Sequence, residues 1–186
     1  MVRDLVGNPK FADTVDDIVM EFGNSRYQRA VDRYVSGENV PLEEVQGAWR
    51  DTVASVGPPS PVYASLYQAV REANLKRRGN HRICVLCGDP RINWQQINQG
   101  SDIVPFLRTR EQSYAGIVEK EVIAGHHRAL LIMGAFHFLR HFPARQPGST
   151  LEESAEALLY VGSPTSLSVV QMPASEHVGT PYLTSP

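Results

Sequence analysis

Three apolar runs in this chain each lead into a polar group suited to chemistry: Ile18 to Met20 into Glu21 and Asn24, Ile83 to Leu86 into Asp89, and Ala129 to Met133 into His137. In an open parallel sheet the strands point one way, and ligands bind in the crevice beyond their carboxyl ends. Groups that follow several strands therefore meet in space although they lie far apart along the chain. Two carboxylates and an imidazole gathered in this way can move protons on and off a bound ligand.

Each group also has a purely structural use. Glu21 follows Ile-Val-Met directly, and its charge is costly to bury unless it is paired or opens on a cleft. It either pairs with a basic helix residue such as Arg26 or, beside an imidazole, serves as a general base. His137 closes the segment Gly134-Ala135-Phe136-His137, in which Gly134 lets the backbone turn sharply and bring the ring to the rim of the sheet. A lone histidine is more often structural, but this one follows the most apolar run of the chain. Asp89 precedes Pro90, a common turn-forming pair, while Trp94 a few residues on can shield a pocket. Arg110 opens a helix, where the dipole is positive and a cation is badly placed, so it calls for an anionic partner: Glu21, or a ligand carboxylate or phosphate. Glu111, in the same first turn, is simply stabilised there. His126 and His127 fall in a polar turn after Gly125 and read as solvated, and His81 and His141 carry no signal.

The elements that must position these groups alternate between strand and helix. Short apolar runs of the kind that parallel sheets bury on both faces predict strands over Val15 to Phe22, Arg82 to Gly88, Ala129 to Ala135 and Ala157 to Val161. Between them, Ser25 with Gln28 reads as a capping box, followed by the stripe Tyr27, Ala30, Val31, Tyr34 and Val35 up to Gly37. Pro41 suits a first helical position ahead of Leu42, Val45, Trp49 and Val53, and Gly57 to Pro61 reads as a loop. Pro61 opens a helix whose face is Tyr63, Leu66, Tyr67, Val70 and Asn74, ending near Arg78 and Gly79. Thr109 and Gln112 cap the next helix, with Tyr114, Ile117, Val118 and Val122 inward and Gly125 beyond its end. The pattern predicts an α/β domain, a mostly parallel sheet flanked by helices in a single layered domain with right-handed crossovers.

The chain has 186 residues and a net charge of −2, enough for one domain with one sizeable core. That domain is placed over residues 1–162, with a Ser/Thr/Pro-rich tail over 163–186 whose one apolar knot is Leu167 to Val170. The basic residues are scattered, with only Lys76, Arg77 and Arg78 in a row, which leaves no footprint for nucleic acid. No stretch is apolar for long enough to cross a bilayer, and Arg3, Asp4, Lys10 and Asp13 interrupt the place of a signal peptide. As written, the sequence reads as a soluble cytoplasmic protein whose partner is a small-molecule ligand or substrate. Cys84 and Cys87 have the spacing of a redox or zinc pair. On a strand, residues three apart face opposite ways and no second pair completes a zinc site, so both read as buried structural thiols. There is no Gly-x-Ser-x-Gly elbow, phosphate loop with Lys, His-Glu-x-x-His or dinucleotide fingerprint.

The strand ending in Glu21, the Arg110-Glu111 pair opening a helix, and the run from Arg128 through Gly134 to His137 together resemble the superfamily of erythromycin esterase-like, ChaN-like haem-binding and Tiki/TraB proteins. The wording is most similar to uncharacterised bacterial members with segments like Glu21-Phe22-Gly23-Asn24, Asp32-Arg33-Tyr34 and Gly88-Asp89-Pro90, and the resemblance spans roughly Val15 to His141. In the esterase-like branch it implies ester hydrolysis by water that a carboxylate and a histidine activate, with an arginine nearby; these roles map to Glu21, His137 and Arg110. In the Tiki branch it implies a divalent metal held by Gly-x-x-His motifs and acidic residues, of which Gly134 to His137 is the one motif visible. Members typically begin with a further strand ending in a Gly-Glu-x-His-like motif, so the resemblance also implies a chain that starts after that strand, with Met1 inside the family's domain.

Three functional expectations follow. The first is a hydrolase-like domain acting on an ester or related bond, with Glu21 and His137 in general acid–base roles, Arg110 steadying oxyanion charge, and Asn24, Asp89, Trp94 and Glu111 around the ligand; it requires no cofactor. The second is a ChaN-like protein that binds haem or another small ligand without catalysis. The third is a divalent-metal hydrolase with Glu21, Asp89 and His137 as ligands.

Overall fold

In the computed structural model of the chain, residues 2–53, 61–77, 81–134 and 168–169 are described. The sheet is built around β1 (Asp17–Asn24), which pairs in parallel with β2 (Cys84–Asp89) on one side and β3 (Ala129–Ile132) on the other. Ser168–Val169 (β4), within the segment read as a tail, pairs in parallel outside β3, giving the order β2-β1-β3-β4. This is the α/β architecture expected, with helices on both faces of an all-parallel sheet.

Alternation along the strands explains why the apolar runs are continuous. Ile18 and Met20 of β1, Val85 and Cys87 of β2 and Leu130 of β3 face one core, which is filled by α1 (Val2–Val6), α3 (Gln28–Val35), α4 (Leu42–Arg50) and α5 (Pro61–Lys76). Val19, Leu86, Leu131 and Met133 face the other, packed against Tyr114, Val118 and Val122 of α7 (Arg110–Ile117) and the wider π turns that continue it over Val118–Ile123. Both faces are covered, so neither can be polar. Helices α2 (Pro9–Thr14) and α6 (Val104–Arg108) are the remaining α-helices among the described residues, of which none is long and apolar enough to cross a membrane.

Strand β1 begins two residues later than expected and runs two further, to Asn24. Its pairing with β2 shifts between Met20 and Asn24, which then stands opposite Asp89. Such an irregularity adds a local bend, and Gly23 makes it feasible: a Cβ there would lie 2.8 Å from the Cys87 Cα. Strand β2 begins at Cys84 rather than Arg82, and β3 ends at Ile132. The strand expected over Ala157 to Val161 and the loop expected from Gly57 lie outside the described residues, apart from Pro61, the first residue of α5.

Two expected caps are not formed. Asn24, not Ser25, caps the turn into α3, its Oδ1 accepting the Arg26 N–H at 3.0 Å. Gln28 instead reaches the free edge of β2, where Nε2 donates to the Val85 carbonyl at 2.8 Å and Oε1 accepts the Cys87 N–H at 2.7 Å. The Thr109 hydroxyl donates back to the Pro105 carbonyl at 3.0 Å instead of capping α7. Pro41 sits one residue ahead of α4, and Gly37 ends α3 with a φ of 102°, a left-handed conformation that a side chain would strain. The two cysteines do face opposite ways, but Cys84 is exposed and Cys87 alone is buried, which corrects the expectation for the pair: among the described strands, Cys84 stands on the outermost one.

Asn74 joins α3, α5 and the entry to β2. Its Nδ2 donates to the Val35 and Ile83 carbonyls and its Oδ1 accepts the Ile83 N–H, each at 2.9 Å and all buried. Asn74→Leu leaves these backbone groups unpaired, at a cost of about 2–4 kcal/mol, read as a lower urea midpoint; an unchanged midpoint would show that water reaches them.

Candidate functional site

Glu21, Asp89 and Arg110 come together at the carboxyl ends of β1 and β2, where α7 begins. Asp89 is fully buried, and its Oδ1 accepts from Arg110 Nε at 2.6 Å while Oδ2 accepts the Val53 N–H at 2.6 Å. The Tyr114 hydroxyl, one helical turn beyond Arg110, lies 2.9 Å from Asp89 Oδ1 and 3.1 Å from the Glu21 carbonyl, with one proton to share between them. Gly88 makes this approach feasible, since a Cβ there would stand 2.6 Å from the Tyr114 ring.

On its other side Arg110 reaches Glu21, with Nη2 at 3.5 Å from Oε1. The second oxygen of Glu21, Oε2, accepts the N–H of Gly134, two residues past the end of β3. All three strand ends are thus tied into one polar cluster. Its charges are well removed from water: Glu21 is 5% exposed and Arg110 9%. The expected alternative partner of Glu21, Arg26, is replaced by Arg110, and the misplaced helix-opening cation has found its anions within the protein. Arg110 also lies between two rings, its Cζ 5.8 Å from the Phe22 centroid and 5.5 Å from that of Tyr114.

Burial works against the Arg110 charge, but Tyr114, Asp89 and Glu21 more than offset it and raise the guanidinium above its ordinary range. Burial, followed by the Asp89 charge, raises the Tyr114 hydroxyl far above that of a free tyrosine, so it remains a donor. One atom of the cluster is left over. Arg110 Nη2 is buried and makes no hydrogen bond, only the longer contact to Glu21.

The other residues singled out from the sequence have different surroundings. Asn24 is fully buried, and its Nδ2 donates to the Asp51 carbonyl at 2.8 Å and the Ile92 carbonyl at 3.0 Å, fastening the end of β1 to two loops. Trp94 is 39% exposed and donates to that same Asp51 carbonyl at 2.9 Å. Glu111 lies half-buried in the first turn of α7, and His137 lies outside the described residues. Among the described residues, no group of three His, Cys, Asp or Glu side chains is placed to hold a metal ion; Asp89 already receives a guanidinium, a phenol and an amide. Tyr114 was legible only as an apolar position, although a fully buried tyrosine needs a partner for its hydroxyl. His127 is exposed as expected, and its Nδ1 also lies 2.8 Å from Oδ2 of buried Asp17. An acid at the very start of a buried strand was the available sign of that pair.

Comparison with known proteins returned no match: no family model fits the chain, and no curated protein and no solved structure is similar to it.

Asp89→Asn removes the charge that Arg110 pairs with and sets an amide N–H₂ against the Val53 N–H or the guanidinium, and a destabilisation of about 3–5 kcal/mol is expected in denaturant unfolding; a loss below about 1 kcal/mol would mean that the charges are hydrated, as in a surface pair. Neither cysteine is a ready nucleophile. Burial, then the negative charges of Asp17 and Asp32, pushes the Cys84 thiol up to about 11, and burial pushes Cys87 up to about 12. At pH 7.5 iodoacetamide is expected to alkylate Cys84 at least about tenfold more slowly than a free cysteine despite its exposure, measured by mass spectrometry. Modification at the free-cysteine rate would contradict that environment.

Proposed function

We propose that the chain is a hydrolase-like domain acting on an ester or related bond, with Glu21 and His137 sharing general acid–base work and Arg110 steadying the negative charge that develops on oxygen. The observation that carries this reading is the buried Nη2 of Arg110: a donor on a permanent cation, without a hydrogen bond, beside a carboxylate. A substrate oxygen that becomes negative would satisfy it, and such preorganised donors are worth most where water is excluded. Asp89 and Tyr114 act as positioning residues: Asp89 accepts from Arg110 Nε, the Tyr114 hydroxyl holds Asp89 in turn, and together they fix the direction in which Nη2 is presented. The resemblance to the erythromycin esterase-like branch supplies the reaction class, and the Gly134 amide bound by Glu21 belongs to the same Gly-x-x-His segment that ends in His137.

In this reaction a water adds to the ester carbonyl as its proton passes to Glu21 or His137. The resulting oxyanion faces Arg110, and its collapse expels the alcohol, which takes up the proton again, leaving a carboxylic acid. Metal ligation by Glu21 and Asp89 is less well supported, because the guanidinium already stands between the two carboxylates.

The test is turnover of a panel of chromogenic esters and lactones by the chain and by Glu21→Gln, His137→Ala and Arg110→Lys, with circular dichroism as a check on folding. Glu21→Gln and His137→Ala are expected to lower kcat by about 10²–10⁴-fold, and Arg110→Lys by about 10²–10³-fold, with smaller changes in KM. Undiminished turnover in Glu21→Gln, or no turnover of any ester by the parent chain, would overturn the reading, the latter in favour of ligand binding without catalysis.

A further inference from the structure

A cleft of about 470 Å³ lies beside β2, and neither Glu21, Asp89 nor Arg110 lines it. It reaches the opposite end of the strands, where Asp17 and Cys84, the first residues of β1 and β2, stand side by side in register. Its volume is that of small-molecule sites, which pair an apolar lining with a few fixed polar groups. Here Leu86 and Ile117 supply apolar surface, and the ionisable groups besides the thiols are three carboxylates, Asp17, Asp32 and Glu121, and the imidazole of His127. Among the described residues that line it there is no lysine or arginine.

Asp17 is the group that asks for a ligand. Its side chain is 3% exposed, yet among the described residues it receives one contact, from His127 Nδ1 to Oδ2, which leaves Oδ1 without a hydrogen bond. A carboxylate offers about four acceptor sites, and this oxygen is not sealed from solvent, so a donor that enters the cleft can reach it. The other two acids are exposed to water: Asp32 accepts from Gln28 Nε2 at 2.7 Å, and Glu121 pairs at 2.6 Å with the exposed Lys120, which is not among the described lining residues. Burial nevertheless raises the carboxyls of both Asp17 and Asp32, more than their hydrogen bonds to His127 and Gln28 lower them.

We propose that this cleft is a second binding site, separate from the Glu21–Arg110 cluster, for a small organic cation whose ammonium head is held by Asp17 and whose apolar body lies on Leu86 and Ile117. The negative rim formed by Asp32 and Glu121 draws the cation in, and among the described lining residues the one internal competitor for Asp17 is His127, which competes only when protonated. Uncharged molecules of the same shape gain the apolar contact alone, and anions are repelled.

The test titrates the full chain at pH 7.5 with benzylamine, n-hexylamine, benzyl alcohol and benzoate, by calorimetry and by amide shifts in NMR. Saturable binding of benzylammonium is expected, at least about tenfold tighter than benzyl alcohol, a difference of about 1.4 kcal/mol. It should weaken with added salt and shift the amides of Asp17, Leu86 and Ile117, while benzoate does not bind. Asp17→Asn is expected to lose at least about tenfold in affinity for benzylammonium and to leave the weak binding of benzyl alcohol unchanged. Should Asp17→Asn fail to fold, Asp32→Asn reads the same field from α3, with a smaller loss expected. Failure of both ammonium probes to bind, equal affinity for alcohol and ammonium, shifts confined to other parts of the protein, or unchanged affinity in the folded variants would each overturn the proposal.

Discussion

Two neighbouring parallel strands that each carry a buried acid toward the carboxyl end need a cation between them, and Arg110 is that cation. Its place at the first position of α7 runs against the helix dipole, at a cost of about 0.3–1 kcal/mol. Leaving a buried carboxylate without its partner costs about 3–5 kcal/mol. The heavier of these two penalties decides the arrangement, and it fixes where α7 must begin. The rest of that side of the sheet follows. Tyr114, one turn along, is brought against β2 at Gly88, where the missing side chain makes room for its ring, and Val118 and Val122 continue the same buried row along Val19, Leu131 and Met133. The apolar packing and the polar cluster are therefore one structure, since the ring that fills the core carries the hydroxyl that reaches Asp89.

The opposite face is organised by a different constraint, the open edge of β2. An edge strand presents unpaired backbone groups that invite another strand. Gln28 answers two of them, the Val85 carbonyl and the Cys87 amide, with the donor and acceptor of a single side-chain amide, as an adjoining strand would. That use removes Gln28 from helix capping and passes the task to Asn24, which the irregularity after Met20 brings opposite Asp89. The bend in β1, the start of α3 and the protection of β2 are consequences of one another.

These couplings separate what the sequence makes legible from what it hides. The continuous runs Ile18 to Met20 and Ala129 to Met133 reveal buried parallel strands because burial on both faces leaves no room for polar alternation. The convergence of Glu21, Asp89 and Arg110 is legible for a related reason: parallel strands end on one side, and a cation in the wrong place on a helix must be near anions. The partners themselves are not. Arg26 lies five residues from Glu21 and Arg110 lies 89 away, and only the tertiary fold chooses between them. Capping patterns fail at Ser25 and Thr109 because local motifs state what a backbone terminus can use, whereas Gln28 was worth more at the edge of the sheet. His127 is exposed, as a polar turn implies, but its pairing with Asp17 escaped notice because nothing local to the turn shows that the strand start at Asp17 is buried.

Strand β1 carries an acid near each end, and the contrast between their partners bears on function. Glu21 faces a guanidinium, which stays charged at any pH at which the protein is folded, and that guanidinium is gripped by Asp89 and flanked by aromatic rings. Its field is therefore fixed, as stabilisation of a transient charge requires, because no reorganisation is needed when the charge appears. Asp17 faces an imidazole that is cationic only when protonated and is itself largely open to water. A carboxylate so lightly held can exchange one partner for another with little disruption, which suits reversible binding better than chemistry. The same strand thus offers a rigid electrostatic environment at its carboxyl end and an exchangeable one at its amino end, and the buried apolar run between them keeps the two acids from sharing a proton or a cation.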